Sequence, residues 1–242
     1  MTRKYGCTNT KAVPGEPRAK FFNAAPLPPI VLLNAWDGPV KDQGQQGSCT
    51  ANSGASHVEW IWRRYCGQHT VLSAAFLYSE ELIRQGNFPS DAGSDPLVTC
   101  EVLNSTGICE ESLMPYDDKR ITMPSEEQVA AAHKYKLGGY HLLNGLSDFL
   151  SCLGNPTPWT CVVAFDVPES FESVGPSGDW NPQPNEAIIG GHQVKASGYD
   201  IPRKRALMQN SWGAAWGDGG YFWMPFEVLE QATCRIIHPG HW

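Results

Sequence analysis

The chain has 242 residues and a formal charge of -7, with 18 Lys+Arg against 25 Asp+Glu. The two signs are interspersed, so there is no basic stripe to attract a phosphate backbone, and nucleic acid is not an expected partner. No run approaches the roughly 18 consecutive apolar residues of a membrane span, which predicts a soluble protein, without membrane contact, large enough to form two lobes around a cleft.

In chain order, Met1-Thr2-Arg3-Lys4 is basic, but the polar, proline-bearing residues through Lys20 supply no signal-peptide apolar segment. Secretion and a cytoplasmic location both stay open. Residues 1–26 read as an arm, and the turn-rich stretch continues through Ala24-Ala25-Pro26-Leu27-Pro28-Pro29. Residues 27–132 read as a mainly helical lobe. Ala51, Ala55, Val58, Trp62 and Tyr65 fall at steps of four and three, the spacing of an amphipathic helix with Cys49 at its head. Ser73 is an N-cap for a second helix carrying Phe76, Leu77, Leu82 and Ile83. A Gly/Pro/Asp loop over 86–93 follows, then a short helix over 97–103 that stops at Gly107.

Ser125-Glu126-Glu127-Gln128 matches a capping box ahead of a helix over 129–136. Residues 133–242 then change texture, with β-rich runs at 161–167, 193–199, 205–209, 221–224 and 234–237 between turns, and one further helix over 147–153. A helical half followed by a stranded half predicts an α+β fold, a helical lobe against an antiparallel β lobe.

The eight cysteines are Cys7, Cys49, Cys66, Cys100, Cys109, Cys152, Cys161 and Cys234, with no C-x-x-C pair. No metal or other cofactor is called for. Cys100 with Cys109 and Cys152 with Cys161 are close enough in sequence to bridge short loops in an oxidising compartment, and a wholly reduced set is the alternative.

Cys49 stands apart because it follows Gln43-Gly44-Gln45-Gln46-Gly47-Ser48 and opens a helix, where free N–H groups and the helix dipole favour thiolate. A nucleophilic cysteine needs a base, and the base needs a group to hold its ring. His57, His69, His133, His141, His238 and His241 read as packed or solvated side chains. His192 lies in Gly190-Gly191-His192-Gln193-Val194, at the entry to a strand. Eighteen residues on, Asn210 is placed to accept the second imidazole N–H, with Trp212 to shield that bond from water.

The motif Asn-Ser-Trp-Gly-x-x-Trp-Gly-x-x-Gly-Tyr beginning at Asn210, the Gln-x5-Cys of Gln43 and Cys49, and the Gly191-His192 pair occur in the order Gln, Cys, His, Asn. In these motifs the chain, from about Leu27 to Ile237, resembles the papain-like cysteine peptidases. Leu72–Tyr78, Gly107–Tyr116, Tyr221–Pro225 and Arg3-Lys4-Tyr5-Gly6 resemble the family's microbial members.

The resemblance implies a two-lobed fold with the active-site cleft between the lobes, and a peptide or protein substrate. It implies Cys49 as nucleophile, His192 as its proton partner, Asn210 as the orienting amide, and Gln43 as side-chain donor to the oxyanion beside the Cys49 N–H. Gly47, Ser48, Gly93, Gly191, Gln193 and Trp212 fall at positions expected to touch substrate. The chain departs from the family pattern at Gln46, where a cysteine usually forms a disulfide, at Thr50, usually aromatic, and at Gly191, often aspartate. The expectation is a monomeric thiol endopeptidase, whose arm at 1–26 either inhibits it by covering the cleft or packs on the back of a lobe. The alternatives are an inactive papain-like binding or effector protein, and an acyl transferase using the same thioester chemistry.

Overall fold

A computed structural model describes residues 3–20 and 26–240; Met1, Thr2, the Ala24-Ala25 part of the proline-bearing stretch and His241 lie outside them. The first elements are a strand, β1 (Ile30–Leu32), and three helices, α1 (Cys49–Cys66), α2 (Ala74–Arg84) and α3 (Pro96–Ser105). After α4 (Glu126–Ala132) come β2 (Gly139–Leu142), α5 (Gly145–Gly154), β3 (Val162–Pro168), β4 (Ile188–Asp200), β5 (Arg205–Gln209), β6 (Tyr221–Pro225), α6 (Phe226–Leu229) and β7 (Thr233–His238).

The helix boundaries follow their caps. Ser73 accepts from the Phe76 N–H and Asp95 from the Leu97 N–H, and both arms of the Ser125/Gln128 capping box form. The helix expected through residue 136 tightens after Ala132 into a 3-10 turn over His133–Tyr135.

α1 differs from its expected amphipathic form: every residue from Cys49 to Ile61 is buried. Its polar side chains therefore find internal partners. His57 Nε2 donates to the Ile237 carbonyl at 2.7 Å and Nδ1 accepts from Thr160 Oγ1 at 2.8 Å, and burial pulls its pKa down to about 4. Glu59 accepts from Lys41 Nζ at 2.7 Å and from the Leu72 N–H at 2.8 Å. A Cβ on Gly54 would stand 2.7 Å from Thr99 Cγ2, so glycine is what lets α3 pack this close to α1.

The seven strands form one antiparallel sheet in the order β2-β7-β3-β4-β5-β6, with β1 paired on β4 through Val31 opposite Tyr199. β1 and β2 were not expected, since three and four residues are too short to display alternation. All eight cysteines are free and all but Cys66 are buried. Instead of the short-loop bridges, Cys161, just before β3, lies near Cys234 on β7, both as free thiols. No helix among the described residues is long and apolar enough to cross a membrane.

Ion pairs lie in the interior as well. Lys195 on β4 meets Asp37, their side chains 0% and 2% exposed, and Ser197 Oγ and the Tyr221 hydroxyl also donate to the carboxylate at 2.8 and 3.0 Å. Removing one partner of such a pair leaves a buried charge without compensation. Asp37→Ala should therefore lower stability by about 3–5 kcal/mol, whereas Asp179→Ala, at an exposed pair with Arg203, should cost less than about 1 kcal/mol in urea unfolding.

Candidate active site

The loop before α1 is fixed from three sides. The Gln43 N–H donates to the Ser211 carbonyl at 2.8 Å, the Gly47 N–H to Asp91 Oδ1 at 3.0 Å, and the Tyr116 hydroxyl to the Gln43 carbonyl at 3.1 Å. Asp91 also takes the Tyr78 hydroxyl at 2.5 Å. Ser48 is the N-cap of α1 but makes no side-chain cap; its hydroxyl lies 2.5 Å from the Tyr116 hydroxyl. These contacts leave the Cys49 sulfur at the helix head, where the backbone N–H groups of Gln193 on β4, Gly6 in the arm and Thr50 lie near enough to favour its thiolate.

His192 lies on β4 opposite Phe165 of β3. Its Nε2 is 2.8 Å from Asn210 Oδ1, and that oxygen also accepts the Ser211 N–H at 2.8 Å. An oxygen already accepting one N–H requires the ring atom facing it to be N–H as well, so the proton is on Nε2 and Nδ1 is the basic nitrogen. Nδ1 has no hydrogen-bond partner among the described residues. The Trp212 ring is 5.1 Å from the imidazole, and Phe165 and Phe171 close other sides at 5.9 and 6.0 Å.

The Gln43 side chain is oriented by its oxygen, which accepts from Ser211 Oγ at 2.7 Å. Its Nε2 then donates to Gln46 O at 2.9 Å and to the peptide carbonyl of Lys4 at 3.2 Å. That carbonyl belongs to the arm, which runs past the head of α1, along Ser94 and the start of β4. The Cys7 N–H donates to Gly191 O at 3.1 Å, the Ser94 N–H to Gly6 O at 2.7 Å and the Thr8 N–H to Ser94 O at 3.0 Å, a parallel bridge with Cys7 opposite Ser94. Arg3 holds Asp42 and the Trp212 carbonyl, Lys4 pairs with Asp91, and the Tyr5 ring stands 6.1 Å from His192.

With the arm seated both reactive groups are fully buried, and burial disfavours their charged forms. It pushes the Cys49 thiol up to about 11, against the lowering pull of the three N–H donors. It draws His192 down to about 4, although the bond to Asn210 acts the other way. In that order of affinities the proton stays on sulfur at neutral pH.

Of the residues singled out from the sequence, His192, Asn210 and Trp212 come together, with Gln43 joined to them through Ser211. Cys49 lies beside the Gln193 backbone next to His192, without a hydrogen bond between its sulfur and Nδ1. Gly47, Gly93 and Gly191 line the path of the arm, because a Cβ on Gly6 would run into the Gly47 carbonyl, one on Gly93 into Gly6 O, and one on Gly191 into Cys7 O. Ser48 and Gln193 face elsewhere. The Gln193 side chain, expected as a cleft wall, is buried against α1, where Nε2 donates to Ser53 Oγ at 2.7 Å and Thr50 O at 3.3 Å.

Sequence reasoning missed Ser211, Asp91 and Glu81. Ser211 was visible inside the Asn-Ser-Trp motif; Asp91, in a turn-rich loop, carried no signal. Glu81 on α2 takes the Thr50 and Thr99 hydroxyls at 2.7 Å each, and burial pushes it up to about 7. Among the described residues no group of three or more His, Cys, Asp or Glu is placed to hold a metal ion.

Comparison with known proteins identifies the family. Residues 35–238 match the Papain family cysteine protease family. An uncharacterised peptidase C1-like protein of Acanthamoeba polyphaga mimivirus is 31% identical over 202 residues, 78% of this chain and 65% of that protein. Digestive cysteine proteinase 3 of Homarus americanus is 28% identical over 87% of this chain and 65% of its own length. The chain thus spans about two-thirds or less of these curated relatives.

Among solved structures, xylellain, a cysteine protease from Xylella fastidiosa, superposes with a TM-score of 0.87 at 28% identity over 98% of each chain. The procathepsin B of Trypanosoma congolense, at 18% identity and TM-score 0.76 over 97% of this chain and 86% of its own, shares the fold. With a family match over most of its length and the helix-plus-antiparallel-sheet fold of these structures, the chain belongs to the papain family of cysteine proteases.

Proposed function

We propose that the protein hydrolyses peptide bonds through Cys49, His192, Asn210 and Gln43, and that residues 3–16 of its own arm hold it latent. The observation that carries this reading is a peptide carbonyl, that of Lys4, already seated on the Gln43 amide beside the Cys49 helix head. In the open enzyme His192 Nδ1 takes the thiol proton. The thiolate sulfur bonds to the substrate carbonyl carbon, and the carbonyl oxygen gathers negative charge against Gln43 Nε2 and the Cys49 N–H. The C–N bond then breaks as the imidazolium returns its proton to the leaving amine. Water, deprotonated by His192, attacks the thioester; the C–S bond breaks and the acid and free thiol are released. Asn210 keeps the ring in the tautomer that both steps require.

The arm is read as an inhibitor because it is tied to the body along its length: the Lys4 carbonyl on Gln43, the Gly6 N–H near the sulfur, the Cys7 N–H on Gly191 O and Glu16 on Arg235. The division into an arm, a helical lobe and a β lobe goes with this proposal.

Gly6 tests the latency, because its Cβ has no room against the Gly47 carbonyl. The full chain carrying Gly6→Ala should cleave an internally quenched peptide faster than the parent, and Cys49→Ala in that background should abolish cleavage. Gln43→Ala should lower kcat by about 10²–10³. Equal rates for parent and Gly6→Ala would count against the latent arm, and cleavage surviving Cys49→Ala against the nucleophile.

Thiol reactivity gives a second check. In the parent, iodoacetamide should modify the exposed Cys66 first, and Cys49 labelling should keep rising with pH toward about 11, where its buried thiol ionises. Gly6→Ala relieves the burial that raises that thiol, so its labelling profile should move to lower pH, read by peptide mass mapping.

A further inference from the structure

Arg235 is a cation inside the protein whose described hydrogen-bond partners all belong to the arm. It lies on β7, is 1% exposed, and presents a guanidinium fork to Glu16, with Nε to Oε1 at 2.7 Å and NH2 to Oε2 at 2.9 Å. NH2 also reaches Lys11 O at 3.4 Å, and NH1 has no partner among the described residues. Asp95 is near enough to act on Arg235 electrostatically, but its oxygens are bonded to Asn9 Nδ2 and the Leu97 N–H.

Its place in the sheet ties it to the cleft. β3 and β7 pair with Ala164 opposite Thr233 and Val162 opposite Arg235, so Ala164, Thr233 and Arg235 share one face. Ala164 packs with Cys7 and Cys49 in one apolar cluster, Thr233 Oγ1 donates to Thr10 O at 2.6 Å, and Arg235 holds Glu16. Arg235 follows Thr233 by two residues, about 7 Å along the strand. Leading away from the sulfur, the arm therefore covers an apolar contact, a hydroxyl and then a buried guanidinium.

We propose that Arg235 selects substrates: once the arm is displaced, its guanidinium takes the carboxylate of an Asp or Glu side chain in the bound peptide, at the place Glu16 occupies in the latent form. This rests on the peptidase reading above. A guanidinium whose bidentate counter-ion leaves with the arm keeps only the longer-range pull of Asp95 and gains a free fork for another carboxylate. The planar fork matches a carboxylate bidentately and matches the uncharged amide of Gln or Asn less well.

The test uses the full chain with Gly6→Ala and internally quenched peptides carrying Glu, Gln or Leu in turn at each position flanking the cleaved bond. At one position the Glu peptide should exceed the Gln peptide roughly tenfold or more in kcat/KM. That ratio should collapse toward one in Gly6→Ala/Arg235→Gln and stay intermediate in Gly6→Ala/Arg235→Lys, which keeps the charge without the fork. It should also fade as pH drops through about 4.3, where the substrate Glu is protonated.

A ratio near one at every position in Gly6→Ala, or an unchanged ratio in the Arg235 variants, overturns the proposal while leaving a peptidase. Absence of any cleavage by Gly6→Ala overturns the peptidase reading and this proposal with it. Should Arg235→Gln not fold, the Arg235→Lys ratio and the pH dependence decide the matter alone.

Discussion

The first turn of α1 is pressed into the sheet at β4, and the rest of the site depends on that contact. Gln193 spans it from β4, donating its side-chain N–H to Ser53 Oγ and Thr50 O while its backbone N–H lies near the Cys49 sulfur. β4 cannot shift to relax the contact, because it is laddered to β3 on one side and β5 on the other. His192 is the preceding residue of the same strand, so the sulfur and the imidazole are positioned by adjacent residues of a rigid element.

The same burial sets the charge state. In a site closed by the arm and walled by Phe165, Phe171 and Trp212, neither thiolate nor imidazolium is well solvated, and the pair stays neutral. Charged groups elsewhere in the interior avoid that outcome by pairing: Lys195 with Asp37, Lys41 with Glu59, Arg235 with Glu16. The first two pairs stay within the body of the fold. The third joins the body to the arm, so it lasts only as long as the arm is seated.

The arm is held by two kinds of contact with different consequences. Its backbone bonds to Gly191 and Ser94 would be offered by any extended peptide; each is worth about 0.5–1.5 kcal/mol net, and they carry no side-chain information. Its side chains add what is particular to this sequence: Arg3 on Asp42, Lys4 on Asp91, Tyr5 beside His192 and Trp212, Glu16 on Arg235. At Gly6 the backbone passes against the Gly47 carbonyl, and only a residue without Cβ fits there.

What the sequence by itself determined is local. Capping residues set the starts of α2, α3 and α4, and the motif residues Gln43, Cys49, His192 and Asn210 were legible because their chemistry demands particular side chains at particular spacings. What only the tertiary structure decided is everything that depends on residues distant in the chain. α1 was expected to be amphipathic, but its polar Ser53, His57 and Glu59 are buried because β4, β7 and the segments at Lys41, Leu72 and Thr160 bring partners to them. Gln193 turned from the cleft to α1 for the same reason. β1 and β2 exist only as additions to β4 and β7, being too short to be stable strands alone. The pairing of Glu16 with Arg235, 219 residues apart, has no sequence signal, since a buried ion pair is defined by the space that closes around it and not by either residue's neighbours.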